Sequence, residues 1–272
     1  MATDGRKFEK LVTIMAQLRG PHGCPWDKQQ THESLVPTFL EELHEFIEAV
    51  EDGDFEAMKE ELGDLCLHLV FQARLAAERN RFAIGDVLDG IAEKLIRRHP
   101  HVFGTVKAKH AADVLRNWEH IKRAENKKGR TSVVDGVPRR LPALSKAHAV
   151  QRKVKRVGFE WRRIKDVMAK VDEELGELRA AIASGRQAAI TEELGDLLFS
   201  IVNLARFVEV EPERALHKTV RKFMDRFREV EARLALRGKT PEQSTLEEMD
   251  AIWNDIKHAR GSATQRARQR RP

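Results

Sequence analysis

Apolar residues recur along most of the chain at intervals of three and four positions, which is the spacing of amphipathic α-helices. The first stripe of this kind comprises Phe8, Leu11, Val12, Met15 and Leu18. Gly20 and Pro21 follow it and predict the end of the first helix. No segment of useful length alternates apolar and polar residues as a half-buried strand does. The pattern therefore predicts an all-α protein.

Two segments, 61–75 and 193–207, are apolar around much of the helical circumference. We predict that each is a central buried helix, and a helix of this kind needs cover on several sides. We therefore expect these helices to pair, either with another chain in a homodimer or with each other within one chain. The segment 22–34 lacks helical spacing and predicts a loop, in which Trp26 either covers a ligand or seals a neighbouring helical hairpin.

One acidic stretch, 41–64, returns later in the chain at 173–196. Five acidic residues of the first stretch each recur 132 positions later. Those of the first stretch are Glu41, Glu42, Glu45, Glu61 and Asp64, and their counterparts are Glu173, Glu174, Glu177, Glu193 and Asp196. A repeat of this length indicates two copies of one structural unit.

The spacing of the acidic residues predicts a helical hairpin in each copy. Glu42 and Glu45 lie three positions apart, as do Glu61 and Asp64, so each pair projects from one face of a helix. Gly53 lies midway between the two pairs and is suited to end a helix in the left-handed conformation. Residues equidistant from the turn of an antiparallel hairpin lie at the same height, so we expect the two pairs to face each other.

The second copy repeats this symmetry about Gly185. Four carboxylates brought together repel one another, so the arrangement predicts a bound cation. Oxygen ligands suit Mg²⁺, with Mn²⁺ as the alternative. The predicted metal ligands are Glu42, Glu45, Glu61, Asp64, Glu174, Glu177, Glu193 and Asp196. A merely solvated acidic face would require neither the symmetry nor the repetition.

The length of 272 residues suits two domains, each with its own core. We predict domains over 1–123 and 147–258, joined by a linker over 124–146 that contains two glycines and two prolines. A second long helix should begin near Leu144. The segment 259–272 is predicted to be a disordered basic tail.

Net charge and cysteine usage narrow the class of protein. The formal net charge is +6, but five arginines without any acid in 260–272 account for most of it, so a specific nucleic-acid partner is not expected. Apolar runs are too short for a membrane span, and the N-terminal residues do not form a signal peptide. Cys24 and Cys66 have no CxxC spacing, so a cytoplasmic protein without structural disulfides is expected.

Each copy also carries a basic pair after its hairpin. Lys94 and Arg98 lie four positions apart, and Lys222 and Arg226 repeat this spacing 128 positions later. Lysine and arginine on one helix face are suited to bind phosphate, although surface positions would have the same spacing. The copies close with WEHIK and WNDIK, which begin at Trp118 and Trp253 and thus lie 135 positions apart.

The pattern ExxE, fifteen residues, ExxD resembles the MazG family of all-α nucleoside triphosphate pyrophosphohydrolases. The resemblance extends from about Phe8 to His258 and includes CPWD at 24–27, RRHPHVF at 97–103 and VGFEW at 157–161. It implies two tandem helical-bundle domains. It also implies Mg²⁺-dependent hydrolysis of ribo- and deoxynucleoside triphosphates to the monophosphate and pyrophosphate.

The resemblance further implies roles for particular residues and a greater share of turnover for the C-terminal copy. The implied catalytic residues are Glu174, Glu177, Glu193 and Asp196. The implied substrate-binding residues are Lys222 and Arg226 for the outer phosphates and Trp253 for the base, with Lys94, Arg98 and Trp118 as their counterparts. Two alternatives remain open at this stage: hydrolysis of another nucleotide phosphoanhydride, such as an alarmone, and a non-catalytic helical interaction protein.

Overall fold

The computed structural model describes residues 2–108 and 131–269, together with 110, 111, 113, 114, 117, 118, 121 and 125 between them, and describes side chains as far as residue 259. The chain forms two compact units, Met1–Lys128 and Gly129–Pro272. The described residues contain helices and no strand, which confirms the predicted all-α class. The finer division into two domains, a linker and a tail stays a prediction.

The first unit contains six helices before residue 108. They are α1 (Ala2–Leu18), α2 (Pro25–Gln29), α3 (Val36–Asp52), α4 (Phe55–Glu78), α5 (Ile84–Arg98) and α6 (Pro100–Phe103). Helices α3 and α4 pack along each other, while α1 and α5 pack against α4. The helix predicted from the first apolar stripe is α1, and it ends before Gly20 as expected.

The turn between α3 and α4 forms as the sequence predicts. Gly53 has a φ of 71° and ends α3, because its amide donates to the carbonyl of Ala49. Asp54 begins α4, since its side chain accepts hydrogen bonds from the amides of Glu56 and Ala57. The chain therefore reverses at the glycine on which the acidic pairs are centred.

The core of the first unit lies between α1 and the second half of α4. Its buried members are Met15, Leu35, Val70, Phe71 and Leu75. The prediction that α4 is a central buried helix thus holds for its second half within this unit. Leu62 in the first half is half exposed, and so is Leu69, which lies two turns further along the same helix face.

The segment predicted to be a loop, 22–34, contains the short helix α2. Pro25 occupies its first turn, where a missing amide proton carries no penalty. Trp26 is 59% exposed, so it does not seal the hairpin within this unit. The periodicity argument missed α2 because five residues are too few to show an apolar stripe.

The second unit contains five α-helices and one short 3₁₀ helix among its described residues. They are α7 (Ala143–Lys155), α8 (Ile164–Ser184), α9 (Gln187–Phe207), α10 (Pro212–Ala235), the 3₁₀ helix Pro241–Gln243 and α11 (Leu246–Gln269). Residues 131–142 of the predicted linker form turns and bends, and residues 124 and 126–130 lie outside the described residues. Helix α7 begins one residue before the predicted start at Leu144.

Helices α8 and α9 form the second hairpin and make the most extensive helix contact among the described residues. Gly185 ends α8 with a φ of 68°, so the reversal is centred on the predicted glycine. Helix α7 packs against α9, and α10 packs against both α7 and α11. The contact between α10 and α11 buries Val230, Leu234, Ile252 and Ile256.

The backbone of α11 is helical as far as Gln269. Alanine, arginine and glutamine dominate residues 259–269, and all three have high intrinsic helix propensity. The disordered tail that the sequence predicts over 259–272 stays a prediction. Among the described residues, none of the helices has the length and apolar character needed to cross a membrane.

A buried ion pair fixes the loop before α8 to the hairpin. Arg206 on α9 and Glu160 are 6% and 18% exposed, and their side chains approach to 2.5 Å. The second guanidinium NH₂ group of Arg206 donates to Glu160 and to Asn203. This pair lowers the pKa of Glu160 and gives a buried guanidinium its counter-charge.

We predict that Glu160→Gln destabilises the protein by about 2–4 kcal/mol, because Arg206 would remain buried without a counter-ion. Chemical denaturation measures the change in the free energy of unfolding. The matched control is Asp225→Asn, which breaks an exposed ion pair to Arg228 in the same unit and should cost no more than about 0.5 kcal/mol. Equal losses in the free energy of unfolding for the two variants would show that the buried ion pair contributes no more to stability than the exposed one.

Candidate functional site

The first hairpin brings three predicted metal ligands together. Glu42 and Glu45 on α3 and Glu61 on α4 each offer an oxygen, and these oxygens lie within 4.8 Å of one another. Asp64 does not belong to this group of three. Its carboxylate is nevertheless close enough to contribute to raising the pKa of Glu61. The facing arrangement predicted from the mirror symmetry is therefore present for three carboxylates, with the fourth beside them.

The second hairpin repeats the arrangement. Glu174 and Glu177 on α8 and Glu193 on α9 form a group with the same 4.8 Å limit. Glu174 is buried and Glu193 is half-buried, whereas Glu177 and Asp196 are exposed. Asp196 stands outside the group of three but contributes to raising the pKa of Glu193.

Burial and electrostatic repulsion both disfavour the charged form of one glutamate in each cluster. Burial raises the pKa of Glu61, and contact with Glu42 together with the charges of Glu45 and Asp64 raises it further. Burial and the neighbouring carboxylates likewise raise the pKa of Glu193. Such shifts arise where carboxylates compete for one site without sufficient positive charge.

The donor atoms fit a hard divalent cation. Glu61 Oε2 is buried and has no hydrogen-bond partner among the described residues. A buried carboxylate oxygen without a partner is costly, and a cation at the cluster would satisfy it. All the donors are carboxylate oxygens, which Mg²⁺ and Mn²⁺ accept and which softer metals do not prefer.

A lysine that the sequence analysis did not single out contacts the second cluster. Lys170 Nζ lies 2.7 Å from Glu174 Oε1 and 2.8 Å from Glu173 Oε1. Hydrogen bonds to these two carboxylates raise the pKa of Lys170. The signal available in the sequence was the spacing of four positions between Lys170 and Glu174, which is common on helix surfaces and therefore easily overlooked.

The predicted phosphate-binding helix of the second unit is α10, which packs against the ligand-bearing helix α9. Arg226 lies over the ring of Trp253, with 5.6 Å between the guanidinium carbon and the ring centroid. Phe223 contacts the same ring with a centroid distance of 5.0 Å. Lys222 is exposed one turn before Arg226. Arg226 Nε is buried and has no hydrogen-bond partner among the described residues.

The first unit repeats the arginine–tryptophan contact. Arg98 lies over Trp118 at 5.4 Å, and Lys94 is exposed one turn earlier on α5. The correspondence inferred from the repeats therefore holds in three dimensions. The two copies differ in the surroundings of this arginine. In the first unit, Glu125 accepts hydrogen bonds from Arg98 and Arg97. When the two copies are aligned on Trp118 and Trp253, Arg260 in the second copy corresponds to Glu125 in the first.

The fold and the clusters define an all-α protein with two acidic hairpins, each followed by a helix that carries an arginine–tryptophan pair. The family model of the MazG nucleotide pyrophosphohydrolase domain matches residues 30–103 and 162–231, which contain the two hairpins. The chain therefore belongs to the MazG family.

Relatives with similar sequences span nearly the whole chain. A protein of Thermotoga maritima, named nucleoside triphosphate pyrophosphohydrolase/pyrophosphatase MazG, is 45% identical over 94% of this chain and 98% of its own length. A nucleoside triphosphate pyrophosphohydrolase of Escherichia coli strain K12 is 44% identical over 92% of this chain and 97% of its own length. A protein of the same name from Mycolicibacterium smegmatis is 32% identical over 92% of this chain and 68% of its own length.

The ion pairs of Glu125 predict a pH-dependent contribution to stability. Arg98 and Arg97 lower the pKa of Glu125 from 4.5 to about 2. A depressed pKa in the folded state means that this contribution is fully present above pH 4.5 and is lost as the pH falls towards 2. We expect Glu125→Gln to lower the melting temperature at pH 7, and the difference from the unmodified protein should shrink as the pH approaches 2.

Calorimetry at several pH values measures this difference. The control is Glu93→Gln, which removes an exposed carboxylate from α5. A Glu125→Gln effect that stayed constant from pH 7 to pH 3 would contradict the ion pairing.

Proposed function

We propose that this protein is an enzyme that hydrolyses nucleoside triphosphates to the monophosphate and pyrophosphate in a Mg²⁺-dependent reaction. Membership of the MazG family and the two carboxylate clusters support this proposal. The observation that carries it is the position of the Arg226 guanidinium group over the ring of Trp253, on a helix that packs against α9, which bears Glu193. A cytoplasmic location, predicted from composition and cysteine usage, belongs to the same proposal.

We place the active site in the second unit. Glu174, Glu177, Glu193 and Asp196 would hold the metal ion, and the group of three with the adjacent aspartate fits this role. When bound, the ion would supply positive charge near the phosphate oxygens and favour deprotonation of water. A carboxylate of the cluster would accept a proton from the attacking water as the water oxygen forms its bond to the α-phosphorus. The bond from the α-phosphorus to the bridging oxygen breaks, and pyrophosphate leaves.

The basic helix α10 serves the leaving group. Arg226 presents a planar fork that suits two phosphate oxygens, and Lys222 adds a point charge from the same helix face. Trp253 offers an aromatic surface for the base and is held in place by Phe223 and by the core between α10 and α11. No described residue forms an ion pair with Arg226, which leaves its charge available for phosphate.

The corresponding arginine of the first unit is already engaged. Glu125 holds Arg98 through its Nε at 3.0 Å, and it holds Arg97 at 2.7 Å. A phosphate group would have to displace this carboxylate before Arg98 could bind it. This difference supports the proposal that the second copy carries most of the turnover.

We predict that Glu174→Gln/Glu177→Gln lowers kcat by at least about 100-fold, because these side chains hold the ion at the reacting phosphate. Glu42→Gln/Glu45→Gln should retain most of the activity. The assay measures pyrophosphate and monophosphate release with Mg²⁺ and with excess chelator, in which turnover should vanish. The control is Glu192→Gln, which removes an exposed carboxylate next to the cluster.

Each contrary outcome has a distinct meaning. Undiminished hydrolysis in excess chelator would refute the metal site. Loss of activity only in the first-copy variant would reverse the assignment of the active site, and equal partial losses would mean that both copies work. Release of orthophosphate and diphosphate would refute the proposed reaction.

We also propose that the protein acts as a homodimer. On α9, Leu194, Leu198 and Phe199 are nearly half exposed although they belong to the most apolar helix of the second unit. On α10, Leu216, Val220 and Met224 are exposed to the same degree. Rows of exposed apolar residues on two helices that contact each other are typical of a protein–protein interface. A second copy of the chain would provide the cover that helical bundles require.

Light scattering at micromolar concentration should therefore give twice the mass of one chain. Leu198→Asp should shift the protein towards the monomer, because it introduces a charge into the apolar surface of α9. Thr191→Asp adds the same charge at an exposed polar position of α9 and should leave the mass unchanged. A single-chain mass for the unmodified protein would contradict the proposal.

A further inference from the structure

The two carboxylate clusters differ in their immediate electrostatic surroundings. Glu42 and Glu174 are equivalent residues separated by the repeat distance of 132 positions. Four positions earlier on the helix, the first copy has Thr38 and the second has Lys170. The clusters have matching carboxylates, so this exchange of a neutral residue for a cation changes their charge balance.

Lys170 is built into the second cluster. Its ammonium group lies 2.7 Å from Oε1 of Glu174, a residue whose side chain is 8% exposed. The same group lies 2.8 Å from Oε1 of the exposed residue Glu173. One lysine thus neutralises part of the cluster from within and holds the most deeply buried ligand in place.

Thr38 cannot act in this way. Its hydroxyl group donates to the carbonyl oxygen of Leu35 at 3.2 Å and carries no charge. Among the described residues, no lysine or arginine forms an ion pair with Glu42, Glu45 or Glu61. The first cluster therefore has the same need for positive charge and lacks a side chain that meets it.

We propose that Lys170 is a positioning residue that acts as a resident cation, so that in the free protein the second cluster binds divalent metal more weakly than the first. This inference rests on the proposed function, since it assumes that both clusters are metal sites. The second cluster would fill mainly together with a nucleotide, whose phosphate charges offset the lysine. The first cluster would hold its metal without a nucleotide.

The physical basis is competition for one carboxylate. A metal ion at the second cluster must share the Glu174 carboxylate with Lys170 or displace the lysine from it, and in either case it lies near a positive charge on the same helix. Glu173 gives the displaced ammonium group an alternative partner, so the lysine need not leave the site. Competition for Glu174 and the nearby positive charge both weaken metal binding relative to the first cluster, but neither prevents it.

Titration of the full chain with Mn²⁺ in the absence of nucleotide tests this inference, with free Mn²⁺ measured by electron paramagnetic resonance. We expect two classes of site that differ at least about tenfold in Kd. Glu42→Gln/Glu45→Gln should remove the tighter class, and Glu174→Gln/Glu177→Gln should remove the weaker class.

Exchange of the two residues provides the decisive comparison. Lys170→Thr should tighten the weaker class until it approaches the other, and Thr38→Lys should weaken the tighter class. Lys170→Gln provides a second neutral variant in case the threonine variant folds poorly. The control is Lys165→Thr, which removes a lysine from α8 about 13 Å along the helix axis from Glu174 and should leave both classes unchanged.

The outcomes separate this inference from the proposed function. Absence of Mn²⁺ binding at both clusters would refute the metal sites themselves and the inference with them. Binding that occurs at both clusters but with equal Kd, or that is unaffected by Lys170→Thr and Lys170→Gln, would refute only the role of Lys170. A tighter second cluster in the unmodified protein would reverse the proposed order of filling.

Discussion

Repulsion between carboxylates that the hairpin holds together is the constraint on which the functional part of this structure depends. Packing of two antiparallel helices places three glutamate oxygens within 4.8 Å in each unit, and burial together with the resulting repulsion raises the pKa of Glu61 and Glu193. Apolar contacts elsewhere along the hairpins must offset this cost, because the carboxylates themselves oppose the helix pairing. A glycine in the left-handed conformation fixes the register, since a shift of one residue would turn the acidic faces away from each other.

The two units share the acidic hairpin but differ in the charged residues around it. In the first unit the arginine that faces its tryptophan is held by Glu125, and no described lysine or arginine forms an ion pair with the clustered carboxylates. In the second unit the equivalent arginine is unpaired among the described residues, and Lys170 contacts the carboxylates. In the second unit, positive charge therefore lies both beside the carboxylates, at Lys170, and on α10, at Arg226. The two units therefore have the same clustered carboxylates but differ in the charged residues that surround them.

Local rules explain why much of this arrangement is predictable from sequence. Gly53 and Gly185 mark the turns because few other residues adopt a positive φ, and a period of 3.6 residues fixes which acids share a face. The contacts of Glu125 and Lys170 are harder to predict. Glu125 meets Arg98 from a position 27 residues away, and Lys170 has a spacing that most helix surfaces show. The exposure of Leu198 is also hard to predict from periodicity. The apolar pattern shows that a residue needs to be covered, but it does not show which element covers it.

The proposed assembly and the proposed metal site would be linked through α9. Glu193, the proposed metal ligand on this helix, is followed directly by Leu194, and Leu198 lies one turn further on. Both leucines are nearly half exposed in the single chain. In the proposed homodimer, a second chain that covers them removes water from the surroundings of Glu193 and lowers the local dielectric constant. Repulsion within the cluster and attraction to a cation both increase as a result, so the dimer would make the cluster depend more strongly on its metal ion.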